Sequence, residues 1–282
     1  MHEIFSYTTK DDSLMKGDDV SLGTIHLGLR VPPAQLDWFV PFQDFLCCDA
    51  YLTSIDPHYA AWHLRQSIGE QLTVVLDHGK EYIVDSFSES QIQFNLFKLA
   101  ELTAASLIVG PYNYGEDDGV SLTDKTIKMS TEVEGVFDMI GVVGGQTVEQ
   151  QVKSFRKYID SKIEIIGFPH HINRFNLLRR LTDLHLLEGK ETYSLLGFNS
   201  YDEIKFISGL GKWIWLLHTA LPILASYNEV EITEEINPDF MSKFTSMPDL
   251  TNRQLHAATL NVIKFKALLP GDSDDEENED GD

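Results

Sequence analysis

The segment FDMIGVVGGQTVEQQVKSFRKYIDSKIEIIGFP (residues 137–169) is the part of this chain that best indicates how it folds. Each end is a short apolar run without polar alternation, which is typical of strands buried on both faces of a sheet. Between the runs, residues 147–159 show helical periodicity, and Thr147 with Gln150 has the spacing of a capping box. The segment therefore predicts a strand, a helix and a second strand parallel to the first.

The same alternation of apolar runs and helical segments extends along most of the chain. Eight apolar runs each end in a polar or Gly/Pro cluster: residues 23–29, 45–53, 72–77, 106–111, 137–145, 163–169, 192–198 and 213–219. From the third run onward, helical segments separate most neighbouring runs, and eight such units close a (β/α)8 barrel. We predict one α/β domain of the TIM-barrel type over residues 1–270.

The composition sets limits on the class of protein. The chain has 282 residues, of which 43% are hydrophobic, and this is ample for a barrel core. No run approaches the ~20 apolar residues of a membrane span, and the polar N-terminus does not resemble a secretory signal. The only cysteines are the neighbours Cys47 and Cys48, which we expect to be buried thiols rather than a disulfide. These features favour a cytoplasmic protein without a membrane partner.

The chain is strongly acidic, with a net charge of -22. Its end, residues 271–282, holds eight acidic residues and no basic one, and we predict a disordered, solvated tail. Such a tail also suits a basic partner protein. The charge argues against non-specific binding of nucleic acid, which requires a basic patch. One local patch is predicted by a cluster of basic residues in two successive helical segments: Lys153, Arg156, Lys157, Arg174, Arg179 and Arg180.

In a TIM barrel the functional side chains follow the carboxyl ends of the strands. Asp77 ends the third run and could act in acid–base catalysis or, as a structural residue, cap a helix or pair with a basic side chain. His218 ends the eighth run, where a structural histidine is the alternative. The other strand-end candidates for substrate binding are His78, Gly79, Asn113, Gly144, Gly145, Phe168, His170 and Asn199.

Several of these segments carry a family resemblance. They are LDHGKEY (76–82), GVVGGQ (141–146), IEIIGFP (163–169), YSLLGFNSYDEI (193–204) and HTALP (218–222). In their order and strand-end placement they resemble the tRNA-guanine transglycosylase superfamily, and particularly its phage and bacterial branch that inserts 7-deazaguanines into DNA. The family's zinc-binding cysteine motif is absent from this sequence.

The resemblance implies a cofactor-free barrel enzyme that exchanges a base at a glycosidic bond. Asp77 would be the acid–base or base-reading aspartate, and Asn113, Gly144 and Gly145 would line the base pocket. Tyr112, Tyr114 and Phe168 would stack on the base. His218 occupies the position of the family's nucleophilic aspartate. The other strand-end acids are Asp49 and Asp202, and an alternative makes Asp77 the nucleophile and His218 the acid–base group.

The implied partners are nucleic acid, with DNA favoured over RNA, and a 7-deazaguanine base, in the host cytoplasm if the chain is phage-encoded. Two other hypotheses stay open. The chain could be a non-catalytic relative that binds nucleic acid or a partner subunit. It could also be an unrelated metal-dependent hydrolase that uses His26, His170 and His171.

Overall fold

A computed structural model describes residues 25–78, 86–112, 119–161, 163–187, 192–197, 214–227, 229–232 and 248–269, with the backbone alone for residues 86–91 and 214. Within these ranges the chain forms eight strands, all parallel to their neighbours. They are β1 (His26–Leu29), β2 (Phe45–Asp49), β3 (Val74–Asp77), β4 (Leu107–Val109), β5 (Asp138–Val142), β6 (Ile165–Pro169), β7 (Thr192–Leu196) and β8 (Ile214–Thr219).

The strands form a closed barrel in chain order, because β8 pairs with β1 as well as with β7. Helices lie between successive strands from β1 to β7 and follow β8, so the predicted TIM-type fold is confirmed. The helices among the described residues are α1 (Leu36–Phe39), α2 (Ala50–Ile55), α3 (Pro57–Gly69), α4 (Ser86–Thr103), α5 (Val120–Glu132), α6 (Val148–Ile159), α7 (Arg174–Asp183), α8 (Leu221–Tyr227) and α9 (Asn252–Lys266).

Two local signals explain where elements begin and end. Thr147 and Gln150 form the predicted capping box at the start of α6, each side chain accepting from the other residue's backbone N–H. The second strand is shorter than its apolar run, since it stops at Asp49. The Asp49 side chain accepts a hydrogen bond from the Leu52 amide and so starts α2 in the middle of that run.

Alternate residues of each strand face two different cores. One core fills the barrel interior and includes Phe45, Val75 and Ile140. The other lies between the sheet and the helices and includes Leu76, Ile166 and Leu217. The interior series continues to the carboxyl ends of the strands, where polar side chains replace the apolar ones.

Some predictions fall outside the described residues. These are the acidic tail at 271–282, Asp202, Tyr114, and three of the expected site residues, Gly79, Asn113 and Asn199. Among the helices that the structure describes, none is long and apolar enough to cross a membrane. Both cysteines are free thiols, with Cys48 buried and Cys47 partly exposed.

Candidate functional site

Asp77 is the last residue of β3 and lies buried at the barrel mouth. Its carboxylate accepts hydrogen bonds from the Tyr112 hydroxyl, 3.1 Å from Oδ1 and 3.2 Å from Oδ2. Oδ1 also accepts the His78 backbone N–H at 2.6 Å. Tyr112 follows β4, so two neighbouring strand ends hold the carboxylate in place. Bonds of this kind fix the direction of an acid–base group before a substrate arrives.

A second carboxylate, Asp49, lies beside Asp77 in register on β2. It is also buried, but it has structural partners. Oδ1 accepts the Leu52 amide at 3.0 Å, and Oδ2 lies 3.4 Å from the Arg30 guanidinium. Its position was predicted by the sequence, whereas its pairing with Arg30 was not. Asp49 thus anchors α2 and Arg30 at this side of the mouth.

His218, on β8, faces the barrel interior next to two side chains of β2. Its Nδ1 is 3.8 Å from Cys47 Sγ, and its ring centroid is 4.9 Å from that of Phe45. Burial, reinforced by the positive charge of Arg30, lowers the pKa of His218 to about 3. A pKa this low leaves the imidazole without the proton that a general acid would donate near neutral pH, and the predicted acid–base role of His218 stays a prediction. Although Cys47 is less completely buried than Cys48, desolvation raises the pKa of its thiol to about 12, so the thiol stays protonated near neutral pH.

Gly28 makes the contact between β2 and β8 possible. It lies on β1, between those two strands, in register with Phe45 on one side and His218 on the other. A Cβ at this position would lie 2.3 Å from the Phe45 ring and 2.8 Å from Cys47 Sγ. The missing side chain therefore leaves the space through which β2 reaches His218.

An open cavity of about 240 Å³ lies beyond the ends of β4, β5 and β6. Its lining includes Pro111, Tyr112, Gly144, Gly145, Gln151 and His171. Tyr112 belongs to both regions, because its ring borders the cavity while its hydroxyl holds Asp77. Gly144 and Gly145 leave the cavity wall without side chains, and a Cβ on the adjoining Gly119 would lie 2.1 Å from the Gly144 carbonyl carbon.

The predicted binding residues have mixed outcomes. Gly144 and Gly145 line the cavity, and His78 packs edge-on to the Tyr112 ring, with centroids 6.2 Å apart. His170 does not line the cavity among the described residues, since its ring lies against Gly197, and His171 takes the place expected for it.

The prediction for Phe168 is wrong. Its ring faces the helices, where it packs against Phe155 and Tyr193 in the outer core. The reason is strand alternation: Gly167 and Pro169 share the inward phase, so Phe168 between them points outward.

The prediction that Arg174 belongs to a basic surface patch is also wrong. It is only 2% exposed. Its Nε donates to the Pro169 carbonyl at 3.1 Å, and one Nη donates to the Leu196 and Gly197 carbonyls at 3.2 and 2.8 Å. The guanidinium therefore joins the ends of β6 and β7, and phosphate cannot reach it without breaking those bonds.

The hydrolase hypothesis lacks an assembled ligand set in the described part of the chain. No group of three His, Cys, Asp or Glu side chains there is placed to hold a metal ion. His26 begins β1, whereas His170 and His171 follow the end of β6, so they lie at opposite ends of a parallel barrel. The eight described strands also contain no lysine of the kind that forms Schiff bases in a barrel interior.

Comparison with known proteins supports the fold and identifies no activity. No family model matches the chain, and no curated protein matches it either. The YdjI aldolase of Escherichia coli K12 aligns with a TM-score of 0.51 at 10% identity, over 88% of this chain and 92% of that one. Tryptophan synthase subunit alpha of Legionella pneumophila str. Paris gives 0.49 at 9% identity, over 86% and 92%. KGPDC of Streptococcus mutans gives 0.48 at 11% identity, over 86% and 96%. At 10% identity the YdjI alignment shows a shared barrel fold alone.

Proposed function

We propose that this chain is a base-exchange glycosyltransferase of the transglycosylase type, which inserts a 7-deazaguanine into nucleic acid, with DNA favoured over RNA. The observation that supports this most is the juxtaposition of Asp77 and the cavity. A buried, firmly held carboxylate borders a small open space through the shared residue Tyr112. The cavity is below the ~300–1,000 Å³ typical of drug-sized ligands, which suits a single heterocyclic base.

In this proposal the target nucleotide leaves the stack and enters the mouth, as enzymes that act on bases require. The bond between the sugar C1′ and the old base breaks, and the base departs with the electron pair and gains a proton. The incoming base forms the same bond with a ring-nitrogen lone pair and loses a proton. Asp77 carries that proton in both directions, and Tyr112 keeps the carboxylate aimed at the reacting nitrogen.

A second candidate, a non-catalytic relative, is favoured by His218. The residue at the family's nucleophile position is a buried, neutral imidazole, and Asp49 is engaged with Arg30. With neither group available, the barrel would bind a base or a nucleic acid without exchanging it.

One experiment separates these functions. Isotopically labelled 7-deazaguanine is incubated with the purified protein and either duplex DNA or transfer RNA, and label in the polynucleotide is measured by nucleoside mass spectrometry. Incorporation supports the transglycosylase. Binding of the free base without incorporation supports the non-catalytic relative. Absence of both binding and incorporation contradicts both proposals.

A further inference from the structure

Four exposed basic side chains lie on the outer faces of α6 and α7. They are Lys153 and Arg156 on α6, and Arg179 and Arg180 on α7. None of the four forms an ion pair in the part of the chain that the structure describes. Acids are plentiful, since the chain has 44 of them and 22 basic residues, and other cations such as Lys157 and Lys266 do pair, with Asp124 and Asp44. We call the four unpaired side chains the basic face.

Helical geometry places two members of the basic face at one groove. Ser154 precedes the core residue Phe155 and hydrogen-bonds to α5, the preceding helix. Successive residues turn by about 100°, so Arg156, on the other side of Phe155, lies on the flank of α6 toward α7. By the same geometry Arg180, which precedes the core residue Leu181, lies on the flank of α7 toward α6. Arg156 and Arg180 therefore line the groove between the two helices.

The basic face suits a negatively charged partner, and the charge of the whole chain favours one that is attached to it. The net charge of -22 repels a free polyanion at long range. A segment of the same chain does not approach from a distance, because a short linker keeps it at an effective concentration of about 1 mM. Residues 272–282 are such a segment, since they hold eight acidic residues and no basic one.

The position of α9 brings this acidic segment within reach of the basic face. Lys266, in the last turn of α9, bonds to Asp44 ahead of β2, so α9 ends at the amino-terminal end of the barrel. Helices α6 and α7 run from the mouth toward that end, with Arg156 and Arg180 in their second halves. Neighbouring helices are about 8–10 Å apart, so α7 and α6, two and three positions from α9, are roughly 20 and 30 Å away. Residues 270–282 can extend over about 40 Å.

We propose that the acidic segment 272–282 docks on the basic face of its own molecule. The contact is electrostatic and exposed, so each ion pair is weak and salt screens the contact. The docked segment occupies the side chains that a nucleic-acid backbone would need, and it therefore excludes phosphate from this side of the barrel. The inference does not depend on the proposed function, because it uses no residue of the barrel mouth.

The test is zero-length cross-linking of the full chain with a carbodiimide, which joins a carboxylate to an amine only where the two are in contact. Lys153 supplies the amine on the basic face. Lys98 is the matched control within the same molecule: it is exposed, has no ion pair among the described residues and lies on α4, three helix positions from α9 in the other direction. Mass spectrometry of the monomer band identifies the linked peptides. We expect residues 272–282 to be linked to Lys153 and not to Lys98, and the link to be lost in 1 M salt, where charges are screened within about 3 Å.

A double variant supplies a second readout. Arg156→Gln together with Arg180→Gln should lower the yield of the Lys153 link about 2- to 30-fold, the combined effect of two exposed ion pairs. Arg65→Gln, at an exposed position on α3 away from the basic face, should leave the yield unchanged. Equal linking of both lysines, or linking in the dimer band alone, would overturn docking on the same molecule. A yield that the double variant does not change would also overturn it, and weaker binding of duplex DNA by that variant would then assign the basic face to nucleic acid.

Discussion

The two halves of the barrel mouth differ in how their space is used. Over β8, β1, β2 and β3 the space is filled by side chains that contact one another, among them Arg30, Cys47, Asp49 and His218. Over β4, β5 and β6 the described residues enclose an open cavity, and much of its wall is glycine and apolar side chain. Tyr112 stands at the border and touches both halves.

The difference indicates that the two halves of the mouth serve different purposes. A reacting group works best when its neighbours hold it rigidly, and Asp77, the reacting group of the proposed function, is held by the Tyr112 hydroxyl and the His78 backbone N–H. A ligand needs room and a close approach to the backbone, and the open half provides these at Gly144 and Gly145. Changes in the filled half should therefore affect chemistry or stability, and changes in the open half should affect ligand binding.

The largest effect is expected from Asp77→Asn. The amide keeps the volume but carries no proton between bases, so base exchange should fall by about 10²–10⁴-fold while affinity for 7-deazaguanine stays within a few-fold. Initial rates of label exchange and calorimetry on the same preparation measure both quantities. Asp138→Asn, at the opposite end of the barrel on β5, is the control and should exchange normally. Wild-type exchange by the Asp77 variant would remove Asp77 from the chemistry.

Gly28→Ala tests how tightly the filled half is packed. The new methyl group would overlap the Phe45 ring, and we expect the free energy of unfolding to fall by about 1–3 kcal/mol. Urea denaturation monitored by circular dichroism gives the value. Gly69→Ala, at the end of α3, is the matched control, because no atom lies within 4 Å of the point that its methyl group would occupy. A loss of stability no larger than in the control would show that β2 and β8 are not in contact across β1.

The buried histidines should make the folded state sensitive to acid. An unfolded imidazole takes up a proton near pH 6.5. Folding lowers the pKa of His218 to about 3 and that of His63 to about 4, in both cases mainly by burial. Between these values the unfolded chain binds more protons, so stability is complete above pH 6.5 and is lost as the pH falls. Each histidine contributes on the order of 1.4 kcal/mol per pH unit in that window.

His218→Gln should therefore flatten the dependence of unfolding free energy on pH between about 6 and 4. The exposed His256 on α9 supplies the control variant, His256→Gln. Denaturation curves at half-unit intervals of pH measure the slope. If His218→Gln and wild type share one slope, the imidazole is not buried in the way described.

The smallest effect is expected from Tyr112→Phe at the border of the two halves. The variant keeps the ring that lines the cavity and loses the hydroxyl that holds Asp77. Removing one such bond costs about 0.5–1.5 kcal/mol, so exchange should slow by roughly 2- to 12-fold with base affinity unchanged. A change confined to base affinity would mean that Tyr112 serves the cavity and does not orient Asp77.

The elements of the fold could be predicted because they depend on local signals. Continuous apolar runs marked the strands, and the Thr147 capping box marked α6. Because these apolar runs are continuous, they did not show which face of the strand each side chain lies on. In IIGFP both faces of β6 are buried, so no polar residue shows which phase points inward, and Phe168 was assigned to the wrong face.

How well a site residue could be predicted from the sequence depended on its position relative to a strand. The position of Asp77 at the barrel mouth could be predicted because a lone acid ends an apolar run. Arg174 was misread as part of a surface patch, since two of its three carbonyl partners, those of Leu196 and Gly197, lie 22 and 23 residues further along the chain. Gln151 had a weak signal: it lies three residues after Val148 and one before Val152, beside the apolar stripe of α6.

The closure of the barrel between β1 and β8 has a consequence for biosynthesis. His218 meets Gly28 across that seam, so residues near the two ends of the barrel sequence must meet before the filled half of the mouth exists. The open half needs only consecutive segments, from Leu107 to Asn173. A chain emerging from the ribosome can thus assemble the ligand cavity early, and the filled half is completed only when β8 has been made.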